Sequence, residues 1–226
     1  MNFAEANPSI HFILVNDGSS DNTVDVLHRI RVGHEEQIEV IDQATNRGKA
    51  EAVRVGTLAA LQMEGCAYVG FWDADLATPL DQISNLTKVL ATRPELAMVF
   101  GARVKLLGRQ VQRRAIRHYL GRVFATVISL VLNLPIYDTQ CGAKIFRATP
   151  ETASLFAEPF ESRWVFDVEI VARFIQRRAY NMDSVQSAIY EFPLQEWRDI
   201  AGSKVRPRDF FRAIFDVLKI YLRYRR

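Results

Sequence analysis

The sequence predicts an α/β fold with a largely parallel, buried sheet and flanking helices. Four short apolar runs rich in Ile, Val and aromatic residues recur at residues 10–15, 38–41, 67–72 and 96–100. Segments of helical period separate them. Several of the runs leave through polar stretches, and open α/β sheets bind their ligands at the carboxyl ends of the strands.

Each element follows from its residues. The first run passes into VNDGSSDNT (residues 15–23), a turn that exposes the Asp17 carboxylate with several backbone N–H groups. A helix over 23–32 follows, with Asp21 as a possible cap. The second run leads to NRGKAEAVRVG (46–56), where Gly48 and Lys49 stand at the start of a helix over 48–63. Free N–H groups and the dipole favour anions there. The Walker spacing is missing, so this is no P-loop. The third run ends in FWDADLATP (71–79), and Pro79 suits the first turn of a helix over 79–91. Beyond residue 100 the pattern changes to a long helix over 110–134, mixed short elements and a last helix over 208–225. No internal repeat or low-complexity segment interrupts the chain, which reads as one domain over 1–226.

Composition narrows the class. With 226 residues, 49% of them hydrophobic, the chain reads as an ordinary globular protein. Residues 103–122 hold seven basic and no acidic side chains, and residues 198–226 hold nine basic and three acidic ones. Against a total of +3, the rest of the chain therefore carries −10. Basic side chains so concentrated suit a phosphate-bearing partner or an anionic surface. Nucleic acid has only these stretches behind it, with no recognised module. Cys66 and Cys141 are too few for a disulfide framework or zinc cluster, and a reducing compartment is expected. No secretory signal is expected at the start.

Asp73 and Asp75 pose the sharpest question. Residues i and i+2 of an extended chain point the same way, so both carboxylates can stand at the sheet's rim. Two such charges roughly 6 Å apart repel by about 3 kcal/mol at an effective dielectric near 20, and a cation would relieve this. Mg²⁺ is usually held by one or two carboxylates plus substrate phosphates. The plainer alternative is that one aspartate caps the following helix and the other is solvated.

Several stretches occur in one order: VNDGSSDNT, NRGKAEAVRVG, DADLATP, GAR (101–103), YDTQCGAKIF (137–146), SRWVFDVEIVARF (162–174) and EWRDIAGSKVRP (196–207). Together they resemble the family 2 glycosyltransferases of the GT-A fold, over about residues 10–224. Within that family the sequence is similar to the polyprenyl-phosphate sugar synthases. DTQCG-K-F, RW-FDVE and W-x-x-I-x-GSK-x-x-P resemble the dolichyl-phosphate β-glucosyltransferase group in particular.

The resemblance implies a nucleotide-sugar-binding half over 1–100 and an acceptor and membrane-surface half over 101–226. It implies that Asp17 bonds the base, that Lys49 and Asp73 contact the nucleotide sugar, and that Asp73 and Asp75 are catalytic and hold Mg²⁺ or Mn²⁺, Asp75 foremost. Arg103, Arg117 and Lys204 would hold the acceptor phosphate; Asp138, Gln140 and Asp167 would line the sugar pocket or orient a basic residue. DADLAT lacks the glutamine that mannose synthases place after DADL, which favours UDP-glucose as donor over a GDP-sugar. The acceptor would be a polyprenyl phosphate, already anionic, so inverting attack needs positioning rather than a strong base. Cys141 reads as a core residue, since inversion needs no covalent intermediate.

Residues 123–134 are mostly apolar but too few to cross a bilayer, which takes about 20. That segment and the last helix, with Phe210, Phe211, Phe215, Leu218 and Leu222 among basic residues, read either as interfacial helices or as core. The expectation is a peripheral protein at the cytoplasmic membrane face, without nucleic acid. Arg113, Arg114 and Arg122 read as a solvated helix face.

Two departures stand against the family pattern. Its members begin with a strand ending in a P-x-Y-N-E-like stretch, which this sequence is expected to lack, and Ala143 replaces a phenylalanine. The alternative is therefore a non-catalytic nucleotide-sugar-binding or membrane-surface module left by loss of that strand. A haloacid-dehalogenase-type phosphatase also uses D-x-D after a strand, but Thr78 falls three positions after Asp75 instead of two.

Overall fold

The computed structural model describes residues 2–112, 115–198 and 207–225. In chain order the elements are α1 (Asn2–Ala6), β1 (Phe12–Asn16), α2 (Thr23–Arg31), β2 (Ile38–Asp42), α3 (Lys49–Leu61), β3 (Tyr68–Trp72), α4 (Gln82–Thr92), β4 (Met98–Ala102) and β5 (Gln110–Gln112). They continue with α5 (Ala115–Leu132), β6 (Ala143–Arg147), α6 (Pro150–Phe156), α7 (Phe166–Arg177), α8 (Met182–Ala188), β7 (Ile189–Pro193), β8 (Glu196–Arg198) and α9 (Pro207–Tyr224).

The first four strands lie where the apolar runs place them. Their pairing is mixed. β1 and β2 form a parallel pair, Phe12 opposite Ile38 and Asn16 opposite Asp42. The four-stranded sheet has the order β3-β6-β4-β7. Here β6 runs antiparallel to both neighbours, while β4 and β7 are parallel. Among the described residues no strand joins β1 to β3; α3 packs against both and links the two sheets.

Local signals erred at three starts. Residues 110–112, expected to open the long helix, instead form β5 and pair in parallel with β8; a partner some 86 residues away overrides local period. The fourth helix begins at Gln82, with Pro79 in the preceding turn, where its carbonyl accepts from the Gln82 N–H. Asp21 precedes the cap position and folds an Asx turn, accepting from the Thr23 N–H at 3.0 Å.

The core lies between the four-stranded sheet and α7, whose residues Phe166, Val168, Ile170, Val171 and Phe174 are fully buried. A run of rings, Phe71 to Phe166 at 5.7 Å and Phe71 to Phe146 at 6.2 Å, ties β3 to α7 and β6. Each buried Phe contributes roughly 1.5–3 kcal/mol, which fixes the strand that leads into the two aspartates against the helix carrying Asp167. Helices α5 and α9 are amphipathic in fact: Ile128, Leu132, Val217 and Ile220 are buried, whereas Val123, Leu130, Phe215, Leu218 and Leu222 are exposed. Among the described residues no helix is long and apolar enough to cross a membrane.

Candidate active site

The site is built where β3 ends. The Asp73 N–H donates to the Gly142 carbonyl at 2.8 Å, carrying the β3–β6 ladder one residue past the strand. Gly142 leaves the space that the carboxylate occupies, since a Cβ on it would lie 2.0 Å from the Asp73 Cγ. Lys49, the first residue of α3, places Nζ 2.5 Å from Asp73 Oδ1. Burial pulls the Lys49 ammonium toward deprotonation, but Asp73, Asp167 and Asp75 outweigh it and hold its pKa above the ordinary lysine value. Asp75 is exposed, and its Oδ1 accepts from the Ala77 N–H at 3.0 Å, closing a turn in which Leu76 adopts φ 53°.

Beneath this rim is a second charge pair. Lys144 is fully buried, with Nζ 2.5 Å from Asp167 Oδ1 and 2.6 Å from the Cys141 carbonyl oxygen. The rings of Phe71 and Phe100 lie 5.3 and 5.1 Å from the same nitrogen. Asp167 therefore anchors the 141–142 turn from below, through Lys144. Cys141 is buried, and burial pushes its thiol up to about 11, which leaves it protonated and inert at neutral pH.

The third pair joins Arg103 to Asp138. Arg103 donates from Nε and Nη2, both at 2.7 Å, and from its own backbone N–H at 3.0 Å. Burial works against the Arg103 charge, but the Asp138 carboxylate more than restores it. Glu191 in β7 accepts from the Tyr137 and Asp138 N–H groups at 2.7 Å each, and its burial raises its carboxyl pKa despite those bonds. Two of the Arg103 nitrogens are thus spent on a carboxylate of the protein.

Asp17 is spent on the backbone. Its Oδ1 accepts from the Arg47 N–H at 2.7 Å and its Oδ2 from the Gly48 N–H at 2.8 Å. Gly18, at φ 59°, allows the close approach, since a Cβ on it would meet Asn46 N at 2.5 Å. From the other side Arg163 donates to the Arg47 carbonyl at 2.7 Å and to the Asn46 carbonyl at 2.9 Å and side-chain oxygen at 2.7 Å. Sequence reasoning missed Arg163 in this role: it stands inside SRWVFDVE, but its partners lie 116 or more residues away.

Thr139 Oγ1, Gln140 Nε2 and both amide atoms of Gln43 are buried with no partner among the described residues. Gln43 directly follows β2, and its N–H donates to the Asn16 carbonyl at 3.0 Å. A buried unmet donor or acceptor costs about 1–3 kcal/mol, which a polar ligand can offset. Arg122 lies 4.0 Å over the Tyr137 ring and lines a shallow cavity of about 210 Å³ with Thr126, Ser129 and Pro135. Lys204, Arg113 and Arg114 lie outside the described residues, as does the side chain of Arg117 in α5.

The donor set suits a divalent ion only in part. Among the described residues there is no group of three or more His, Cys, Asp or Glu side chains that could hold one. Two carboxylates from one strand exit are what Mg²⁺ or Mn²⁺ uses when phosphate oxygens complete its shell. Asp73 and Asp75 thus fit an ion that arrives with a diphosphate.

Comparison with known proteins places this geometry. The sequence model described as glycosyl transferase family 2 matches residues 3–152. The chain is 34% identical to dolichyl-phosphate beta-glucosyltransferase ALG5C of Trichomonas vaginalis, over 98% of this chain and 63% of that protein. It is 31% identical to the dolichyl-phosphate beta-glucosyltransferase of Homo sapiens, over 94% and 63%. The chain thus spans less than two thirds of the length of these relatives. Among solved structures it resembles Mycobacterium tuberculosis glucosyl-3-phosphoglycerate synthase, with TM-score 0.60 and 19% identity over 92% of this chain and 68% of that one. A complex of that synthase contains Mn²⁺, UDP-glucose and phosphoglyceric acid; it superposes with TM-score 0.58 at 18% identity, over 92% and 68%. A Pyrobaculum calidifontis mannosyltransferase holding GDP-Man and Mn²⁺ gives 0.58 at 16% identity, over 96% and 55%. These likenesses establish a GT-A-like fold.

Proposed function

The chain belongs to glycosyl transferase family 2, and from that premise we propose that it transfers glucose from UDP-glucose, with inversion, to a polyprenyl phosphate. The observation that carries the reading is the contact of Lys49 with Asp73 where β3 ends and α3 begins, with Asp75 two residues further along and its charge felt at Lys49. Asp75 and Asp73 would hold Mg²⁺ or Mn²⁺, which as a Lewis acid offsets charge developing on the departing diphosphate. Lys49 binds the diphosphate at the positive end of the α3 dipole, where the Gly48 and Ala50 N–H groups are themselves held by Asp17 and the Arg163 carbonyl. Asp17 acts on the nucleotide through the 46–48 loop that its carboxylate and Arg163 hold from two sides.

The acceptor phosphate carries its own negative oxygen, so the protein positions it and keeps water out. Arg117 and Lys204 are the residues proposed to hold that phosphate; Arg103, paired with Asp138, shapes the adjoining wall. Gln140, with its unmet Nε2, serves the sugar hydroxyls, and Asp167 acts from beneath through Lys144. Exposed Val123 and Leu130 on α5 and Phe215, Leu218 and Leu222 on α9, flanked by Lys219, Arg223 and Arg225, suit the headgroup layer of an anionic membrane. Peripheral action at the cytoplasmic face is part of the same proposal.

The test is incubation of the purified chain with labelled UDP-glucose and a polyprenyl phosphate in vesicles with Mn²⁺ or Mg²⁺. Lipid-linked glucose that disappears with EDTA supports the reading. Donor binding without transfer would favour the non-catalytic module.

A further inference from the structure

We propose that Lys49 is an exchangeable counter-ion. It neutralises Asp73 while no donor is bound, and it moves to the diphosphate when a dication takes its place. The inference rests on the reading of the site as a nucleotide-sugar site and adds an order of events to it.

The two lysines of the cluster are held very differently. Lys144 has no exposed surface and is gripped by Asp167, by the Cys141 carbonyl and between two aromatic rings. It is a fixed strut. The Lys49 side chain is 41% exposed and its partner Asp73 34%. Asp73 is its one hydrogen-bonding partner among the described residues. A half-exposed pair of this kind is worth roughly a two- to fivefold bias in equilibrium, weak enough to be exchanged.

Asp73 is fixed at its backbone and closed off on its Gly142 side. Its N–H is tied to the Gly142 carbonyl, and its carboxylate lies against Gly142 with no room for even a methyl group. The four-carbon stem of Lys49 is longer and more flexible than the Asp73 side chain and is the part that moves. Once a dication sits on Asp73, its repulsion of a neighbouring ammonium is as large as that ammonium's attraction to the carboxylate, so the Lys49 contact no longer gains anything. A dication arriving alone leaves Lys49 without the anion it bonds, whereas one arriving with a diphosphate supplies another. The first turn of α3, where Lys49 stands, is where that diphosphate would lie. Metal and nucleotide then strengthen each other's binding by the same factor.

Mn²⁺ titrations of the full chain, read by the EPR signal of the free ion, test this with and without saturating UDP. Wild type is expected to bind Mn²⁺ weakly alone and at least about tenfold tighter with UDP. Lys49→Met and Lys49→Gln should each bind Mn²⁺ alone roughly three- to tenfold tighter than wild type, and the enhancement by UDP should shrink by a similar factor. Lys49→Arg should keep the wild-type weakness. Thermal melts identify any variant that does not fold, and the two neutral variants serve for each other. If all proteins bind Mn²⁺ with UDP but the neutral variants match wild type without it, the exchange is overturned and the transferase reading stands. If none binds Mn²⁺ even with UDP, the metal-dependent reading falls and the exchange with it.

Discussion

Gly142 and Asp73 lie so close that a Cβ on the glycine would meet the aspartate Cγ at 2.0 Å. The backbone just before β6 thus limits where the carboxylate can point. Gly142→Ala should push Asp73 off its position, and a displacement of about 1 Å at a reacting centre costs on the order of 100-fold in rate. Steady-state transfer assays on a variant with near-normal Tm would show the loss; wild-type turnover would refute the role given to this contact.

Among the described residues Asp75 makes one hydrogen bond, to the Ala77 N–H. Asp75→Ala should therefore cost about 1 kcal/mol in stability yet abolish transfer and nucleotide-dependent Mn²⁺ binding. Asp75→Asn can keep the turn and should lose activity just as fully, which separates charge from fold.

Lys144 and Asp167 form a buried pair, and removing one partner strands the other. Lys144→Met should lower stability by about 3–5 kcal/mol, a drop in Tm of roughly 10 °C. Joining it with Asp167→Leu should recover most of that loss in calorimetry while leaving the 141–142 turn, and so Asp73, without its strut.

Arg163 holds the loop before Lys49 through three hydrogen bonds to Asn46 and Arg47. Arg163→Ala should raise KM for the donor about fivefold, the equivalent of one lost positioning bond, with kcat nearly unchanged. A fall in kcat at constant KM would place Arg163 in the chemistry instead.

Burial raises the Glu191 carboxyl pKa above the ordinary value of 4.5. The folded state then binds a proton where the unfolded state has lost it, so this group's share of stability falls as pH rises from 4.5 through the elevated folded value. Glu191→Gln removes that slope. Melting curves should show the Tm of the variant, taken relative to wild type, rising with pH across that window. Glu51, whose pKa is lowered by its hydrogen bond to the Arg54 side chain, contributes stability above 4.5 that is lost as pH falls through its depressed folded value.

Much of the frame was legible because it is local. Apolar runs bounded by polar turns marked β1 to β4 within two residues at either end, and the positions of Asp17, Lys49, Asp73 and Asp75 at element ends followed from them. The strands β5 to β8 were not legible: β5 and β8 are three residues long, and each is stabilised by a partner distant in the chain. Nor did residue type betray that Lys144 is buried, since a lysine inside a core depends on the carboxylate it meets there.

By itself the sequence determined the alternation of strand and helix through residue 100 and which carboxylates leave the strand ends, because period and turn chemistry act over a few neighbouring residues. Only the tertiary structure decided what neutralises those carboxylates: Lys49 against Asp73, Lys144 against Asp167, Arg103 against Asp138. Each pair joins segments more than 20 residues apart. Coulomb attraction and desolvation depend on distance and burial in space, which spacing along the chain does not encode.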